Sequence, residues 1–515
     1  MTNELLQSVV STVRSTPDAV AYEVEGEGRT TYQELWAMSC SVARALLSQT
    51  DGQSPVMVLG RKSASTVACF LGCLMSGHAY VPVDAELPAA RISSIASQIA
   101  GVLVLSTVEM SDELESLIPA GSVLDARAIA NSAAREKVEP PTEDLWVSGE
   151  RTQYIIFTSG STGRPKGIEV SAANVANFMR WLDGFPVISK GGQVFLDQAP
   201  YSFDLSEYEL VGALSTGGCL HALPASKLRD HAALLKDLDG AGITVWVSTP
   251  SFADFCLTSS KFSERVLPDV RLFLFCGETL HHTTVEALAK RFPRALVANT
   301  YGPTESTVAV TFGLIGPRDL ADPAPLHVGV ARPGTEIRII DRKTGALCPT
   351  GISGEIIIVG DTVAKGYFEN PEKTRAAFFM SRMSDGTPAR AYRTGDVGHL
   401  DSRGRLHCEG RLDSFIKLNG FRIELGEVEG TLEGLSGVKQ AAVVAVKKGG
   451  RVHHLQAFVV LDQREPSEDF AAKRAIKTQL SSHLPSYMVP RVVSILDEMP
   501  LTANGKVNRK ALVGA

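Results

Sequence analysis

Over the first two-thirds of the chain, short apolar runs alternate with stretches of helical spacing. VMVLG (56–60) precedes a helix expected from about Ser63, and VLVLS (102–106), YIIFTS (154–159), TVWVST (244–249) and VRLFLFCG (270–277) repeat the arrangement. Apolar runs of strand length separated by helices predict parallel sheets buried on both faces. Near Val328 the pattern changes to short strands and turns, TEIRIID, RKTG and GEIIIVG, predicting an antiparallel or barrel-like subdomain. From about Leu412 a third pattern begins: a helix from Glu427 to about Leu435, strands QAAVVAVK and HHLQAFVVL, and a helix near Phe470 to Leu484. That is a small α+β module, with GRLDSFIKLNG (410–420) reading as its linker.

The 515 residues suit about three compact units. With 51 Lys+Arg against 57 Asp+Glu, the net charge of -6 argues against nucleic-acid binding through a basic surface. Any polyanion must be gripped by a local site. The 8 cysteines stand singly without a CxxC pair, as buried reduced thiols rather than a disulfide framework. No charge occurs between Lys62 and Asp84, but Ser, Thr, Gly, His78 and Pro82 interrupt that stretch, which reads as a buried helix and strand, not a membrane span. Met1 to Arg14 lacks the pattern of a signal peptide, and a cytoplasmic protein is expected.

Four segments carry chemistry. In YIIFTSGSTGRPKG (154–167), small residues let the backbone wrap an anion while hydroxyls and N–H groups donate to it, and Lys166 adds charge. It is not a Walker A loop, because Pro165 stands where glycine is needed. In NTYGPTE (299–305), Glu305 follows a sharp turn and can reach a metal, and Tyr301 offers a flat face to a purine. YRTGD (392–396) places Asp396 to accept from a ribose diol, and PLTANGK (500–506) presents Lys506 on a glycine turn. Taken singly, each is more simply a loop, a turn or a solvated lysine.

Taken in order, they resemble the core motifs of the adenylate-forming superfamily, especially the amino-acid adenylation domains of nonribosomal peptide synthesis. TTYQEL (30–35), GHAYVPVD (77–84), GRLDSFIKLNGFRIELGEVE (410–429) and LTANGKVNRK (501–510) match further motifs, so the likeness spans essentially the whole chain. QAPYSFDLSEYEL (198–210), VWVSTPSF (245–252), LFLFCGETL (272–280) and NTYGPTESTVAV (299–310) are similar to the D-alanine–D-alanyl carrier protein ligases of Gram-positive bacteria.

The resemblance implies an α/β fold: a large N-terminal domain (1–412) of two βα sheets plus a β-barrel-like subdomain, and a small mobile α+β C-terminal domain (413–515) hinged at Asp413. It implies ATP and Mg²⁺ as cofactors, and D-alanine or another small amino acid as substrate. The aminoacyl group would pass to a phosphopantetheinylated carrier protein, for D-alanylation of (lipo)teichoic acid. A monomer is expected, without nucleic-acid partner or membrane insertion. Thr158, Ser159, Thr162 and Lys166 would handle the β/γ-phosphates, with Gly160, Ser161 and Gly163 among the nucleotide-binding residues; Asn299, Thr300 and Tyr301 would receive the nucleotide, with Tyr301 on adenine. Glu305 would hold Mg²⁺, Thr304 approach the α-phosphate, and Asp396 with Arg411 fix the ribose. Lys506 would bridge α-phosphate and substrate carboxylate.

Asp204 matches the aspartate that pairs with the substrate ammonium, and Leu205, Tyr208, Val247, Leu274, Cys276, Thr300, Val308 and Ala309 align with the specificity lining. Cys276 would act by shape, disfavouring the L-enantiomer. Tyr208, Phe415 and Asn419 depart from the family pattern, while Lys417 and Gly420 keep it. Two other readings remain: a ligase of the same mechanism for glycine, L-alanine, serine or proline in nonribosomal peptide synthesis, and a non-catalytic nucleotide-binding homologue.

Overall fold

The computed structural model describes residues 2–24, 28–50, 53–119, 122–132, 139–160, 164–227, 230–411, 415–448, 451–463, 469–500 and 507–512. Two large sheets form the body. One has seven strands in the order Gly366–Tyr367, Lys166–Ser171, Thr152–Thr158, Tyr80–Asp84, Val56–Gly60, Leu103–Ser106, Val123–Asp125. The other has nine, in the order Val330–Ala331, Thr311–Leu314, Leu296–Tyr301, Leu272–Phe275, Val245–Ser248, Val194–Asp197, Cys219–Ala222, Val20–Val24, Gly28–Thr31. The apolar runs of the sequence are their parallel centres; antiparallel pairs stand nearer the edges.

Helices begin where the sequence offers side-chain caps. Ser63 accepts from the Thr66 N–H ahead of Ala64–Met75, and Thr31 and Ser171 form capping boxes with Glu34 and Asn174. Ala64–Met75, the helix of the uncharged stretch, has 12 residues, about 18 Å, and is buried. Among the described residues, no helix is long and apolar enough to cross a membrane. Side chains of both sheets, including Val58, Tyr154 and Ile156 of one and Tyr22 and Leu220 of the other, share one apolar core with Phe178 and Tyr208.

The subdomain expected after Val328 is an antiparallel sheet of Thr335–Ile340, Gly354–Gly360, Pro388–Leu400, Phe378–Arg382 and Leu406–Arg411. The long strand Pro388–Leu400 pairs with Phe378–Arg382 along its first part and with Leu406–Arg411 along its second.

The last module has its own core, with Val428, Leu432, Val443, Leu455, Val459 and Leu480 packed under a three-stranded sheet and the helices Leu425–Glu433 and Asp469–His483. One expectation changes here. Residues 415–420, read as linker, open a hairpin in which Phe415–Leu418 pairs with Phe421–Glu424. Asn419 and Gly420 join the strands with φ of 52° and 83°, both in the left-handed region, as a two-residue primed turn requires. The boundary at 412/413 and the hinge candidate Asp413 lie outside the described residues.

Candidate active site

Strand ends from both sheets, the antiparallel subdomain and the C-terminal hairpin meet in one cleft. Thr158 closes its strand opposite Lys166, so the loop between them is gathered at its base. A Cβ on Gly160 would stand 2.1 Å from the Arg164 carbonyl, which only glycine avoids. Ser159 Oγ donates to the Arg422 carbonyl at 2.7 Å and accepts from the Glu424 N–H at 3.2 Å. The Gly160 N–H donates to Glu427 at 3.1 Å. These two donors of the loop therefore face the second module. Ser161, Thr162 and Gly163 lie outside the described residues, as does Lys506.

Glu305 is fully buried on the Thr304–Ser306 turn. A Cβ on Gly302 would lie 2.4 Å from Ala309 Cα, and Thr307 and Val308 take φ of 59° and 65°. That tight, strained return directs Glu305 inward. Its carboxylate accepts from Arg422 at 3.0 Å and from the Tyr367 hydroxyl at 2.9 Å, and lies 3.5 Å from the Lys166 ammonium. Burial alone would raise its pKa, but the charges of Arg422 and Lys166 hold it well below the ordinary carboxylate value. Lys166 is pushed down to about 8 by burial and by neighbouring Arg422, against the pull of Glu305. Glu305 Oε2 has no hydrogen-bond partner among the described residues.

Across the cleft the Tyr301 hydroxyl donates to Asp396 at 2.5 Å, and Arg411, paired with Asp396 in register, donates to its other oxygen. Arg411 also reaches the Thr394 carbonyl at 2.8 Å. Tyr301 and Asp396, expected to meet different parts of a nucleotide, are thus bonded to each other. Asn299 donates to the His327 carbonyl at 2.9 Å, leaving its side-chain oxygen without a partner among the described residues.

The substrate candidates gather around Asp204. Val247 and Leu274 stand side by side in adjacent strands, and Cys276 follows directly on the second. Thr300 donates to the Phe275 carbonyl at 2.8 Å and interacts with Cys276 and Tyr208. Leu205, Tyr208, Val308 and Ala309 are all buried, with Tyr208 edge-on to Phe178 at 5.1 Å. Burial pushes Asp204 up to about 7, opposed by the Thr304 hydroxyl and the Lys417 charge. Burial also raises the Cys276 thiol, leaving it an inert packing group rather than a nucleophile.

Residues 9–368 match the family model for the AMP-binding enzyme, and residues 427–506 that for the AMP-binding enzyme C-terminal domain. The chain belongs to the AMP-binding enzyme family. It is 40% identical over 517 residues to a D-alanine–D-alanyl carrier protein ligase of Bacillus licheniformis, covering 99% of each chain. To the protein of the same name in Bacillus anthracis it is 39% identical over 513 residues, again covering 99% of each. Among solved structures, a nonribosomal peptide synthetase protein containing adenylation and PCP domains, bound to a vinylsulfonamide inhibitor, matches with TM-score 0.83 and 26% identity over 99% of this chain and 84% of that one. A Vibrio cholerae adenylation domain in complex with glycyl-adenosine-5'-phosphate matches with TM-score 0.80 and 25% identity over 100% and 98%.

Several residues of this AMP-binding enzyme escape sequence reasoning. Arg422 sits within the motif at 410–429, but nothing in that motif says that it enters the cleft to meet Glu305. Glu427 reaches from the second module to Arg91 of the body, a pair buried on both sides. The Asn419-Gly420 turn inserts against the body: the Gly420 N–H donates to Glu278 at 2.9 Å, and a Cβ there would lie 2.3 Å from Thr249 Cγ2. An Asn-Gly pair between apolar alternations is a strong hairpin signal and could have revealed this turn.

Proposed function

We propose that this enzyme activates D-alanine with ATP to D-alanyl-AMP and transfers the alanyl group to the phosphopantetheine thiol of a carrier protein. The carrying observation is that Asp204, Cys276 and Thr300 gather beside Lys166 and Glu305, in a chain 40% identical over its length to a D-alanine–D-alanyl carrier protein ligase. In the first step a carboxylate oxygen attacks the α-phosphorus and pyrophosphate leaves; in the second a thiolate attacks the carbonyl and AMP leaves. Two anions must meet in the first step, so cationic groups must hold them.

We assign Thr158, Ser159, Gly160, Ser161, Thr162, Gly163 and Lys166 to the phosphates, and Asn299, Thr300 and Tyr301 to the nucleoside. Thr304 approaches the α-phosphate, and Asp396 with Arg411 holds the ribose. Lys506 neutralises the charge gathering between carboxylate and α-phosphate. Mg²⁺ would neutralise phosphate oxygens, and Glu305, whose Oε2 has no hydrogen-bond partner among the described residues, is the side chain that fits it. Asp204 pairs with the ammonium group, and Leu205, Tyr208, Val247, Leu274, Cys276, Val308 and Ala309 wall in the side chain.

The division at 412/413, with Asp413 as hinge, gives the body substrate and ATP binding and the C-terminal module the lysine. The hairpin in the cleft belongs, on this reading, to the transfer step. The setting is a cytoplasmic monomer serving teichoic-acid D-alanylation. Glycine is the second candidate substrate, favoured by the bulk of buried Tyr208 and by the likeness to the domain holding glycyl-adenosine-5'-phosphate. ATP–pyrophosphate exchange over a panel of amino acids decides: preference for D-alanine is expected, preference for glycine or an L-amino acid replaces that substrate, and no exchange overturns the reading.

A further inference from the structure

One buried cluster of charges has no part in the proposed chemistry. Lys62 stands between the strand Val56–Gly60 of the seven-stranded sheet and the helix Ala64–Met75. Its ammonium pairs with Asp197, the last residue of the strand Val194–Asp197 in the nine-stranded sheet. It also lies 3.7 Å from Glu209, in the helix Ser206–Ser215, and 4.1 Å from the centre of the Tyr201 ring. The Lys62 side chain is 10% exposed, and those of Asp197 and Glu209 are fully buried. A single cation from one sheet thus holds two carboxyl groups of the other where water hardly reaches.

The partners of Lys62 bracket one segment of chain. Asp197 ends a strand, Glu209 lies in the following helix, and the loop 198–205 between them carries Asp204. Asp197 accepts from the Tyr201 hydroxyl at 2.7 Å, which ties the middle of the loop to its start. Glu209 accepts from the Gln198 and Ala199 N–H groups, each at 3.2 Å, which ties the helix to the first residues of the loop. From there the chain is a run of linked turns. The Phe203 N–H donates to the Pro200 carbonyl at 2.8 Å, and the Glu207 N–H to the Asp204 carbonyl at 3.0 Å. Gln198 Nε2 reaches the carbonyl of Val247, a pocket-wall candidate, at 3.4 Å. The cluster is not itself a ligand site, because the cavity beside Lys62, Pro200 and Tyr201 has about 30 Å³, room for a water.

We propose that Lys62 is a positioning residue for amino-acid recognition: through Asp197, Tyr201 and Glu209 it sets where the loop 198–205 presents Asp204 to the substrate ammonium. The inference rests on the reading that Asp204 receives that ammonium. With Lys62 in place, the strand end and the helix start are drawn to one point, so the loop has fixed ends. Without it, the Asp197 charge is stranded away from water beside a second carboxyl group, and the two are driven apart. The ends of the loop move with them. A displacement of about 1 Å is enough to spoil a contact that depends on alignment. Lys166 and Glu305 stand on other elements, so the amino acid, not ATP, is the substrate whose binding Lys62 governs.

The test compares KM for the amino acid with KM for ATP in ATP–pyrophosphate exchange, alongside the thermal midpoint. Lys62→Met should raise the amino-acid KM by about tenfold or more, leave the ATP KM within about twofold, and lower the midpoint. Lys62→Met combined with Asp197→Asn removes one charge of each sign and keeps an acceptor for the Tyr201 hydroxyl. In this double variant the midpoint should recover while the amino-acid KM stays raised, and it carries the test if the single variant does not fold. An amino-acid KM near the wild-type value in either folded variant would overturn the inference, as would equal rises in the two KM values. Failure of both variants to fold would also overturn it, making Lys62 a residue of folding alone. Exchange with every amino acid failing in the wild-type chain would instead overturn the functional reading itself.

Discussion

Glu427→Ala separates the two half-reactions most sharply. In the docked arrangement this carboxylate is 1% exposed, pairs with Arg91, whose side chain is 7% exposed, and accepts from the Gly160 N–H. Removing one partner of a buried ion pair costs about 3–5 kcal/mol, because the other charge is left without solvent or partner. On the proposed hinge reading, a module that swings away returns Arg91 to water, so the cost falls on docking rather than on folding of either unit. At about 1.4 kcal/mol per factor of ten, the lower bound already shifts docking by about a hundredfold. Single-turnover transfer from preformed adenylate to the carrier thiol should slow by about that factor, while ATP–pyrophosphate exchange should stay within about threefold. Adding Arg91→Met removes the stranded charge and should restore much of the loss, giving a clear coupling energy in the double-mutant cycle. Equal loss in both half-reactions, or strictly additive single effects, would refute the reasoning.

Other perturbations probe the remaining assignments. Lys506→Ala should abolish adenylate formation yet leave transfer from preformed adenylate largely intact; matching losses in the two assays would rule out a role confined to the first step. Cys276→Ala should narrow the D/L preference in exchange, and an unchanged ratio would count against steric selection. Gly420→Ala forces a Cβ to 2.3 Å from Thr249 Cγ2 at φ 83°, so transfer should fall by at least tenfold, about 1.4 kcal/mol, with the thermal midpoint of the body unchanged. A variant with normal transfer would mean that the turn does not dock during that step.

The parallel strand centres were legible because each is an apolar run bounded by turn residues, and the loop Thr158–Lys166 because its small residues and hydroxyls have few other uses. Strand order was not legible. Val20–Val24 lies beside Cys219–Ala222, and no local pattern encodes a pairing across that length of chain. The site divides in the same way. Asp204, Glu305, Asp396 and Lys166 stand out by motif, whereas Arg422, Glu427 and Arg91 acquire meaning only when one module packs on another. The hairpin at 415–424 is different in kind, since its Asn-Gly pair between apolar alternations is itself a local hairpin signal within the stretch read as linker.

The contacts of Ser159 and Gly160 with the hairpin bear on the direction of flux. While the Arg422 carbonyl and the Glu427 carboxylate occupy these two donors, pyrophosphate finds that part of the loop already taken. On the proposed chemistry, an adenylate reaching the docked arrangement is sheltered from pyrophosphorolysis. Glu427 then serves as a carboxylate stand-in for the departed phosphate, and a readily reversible activation becomes committed before the thiol arrives.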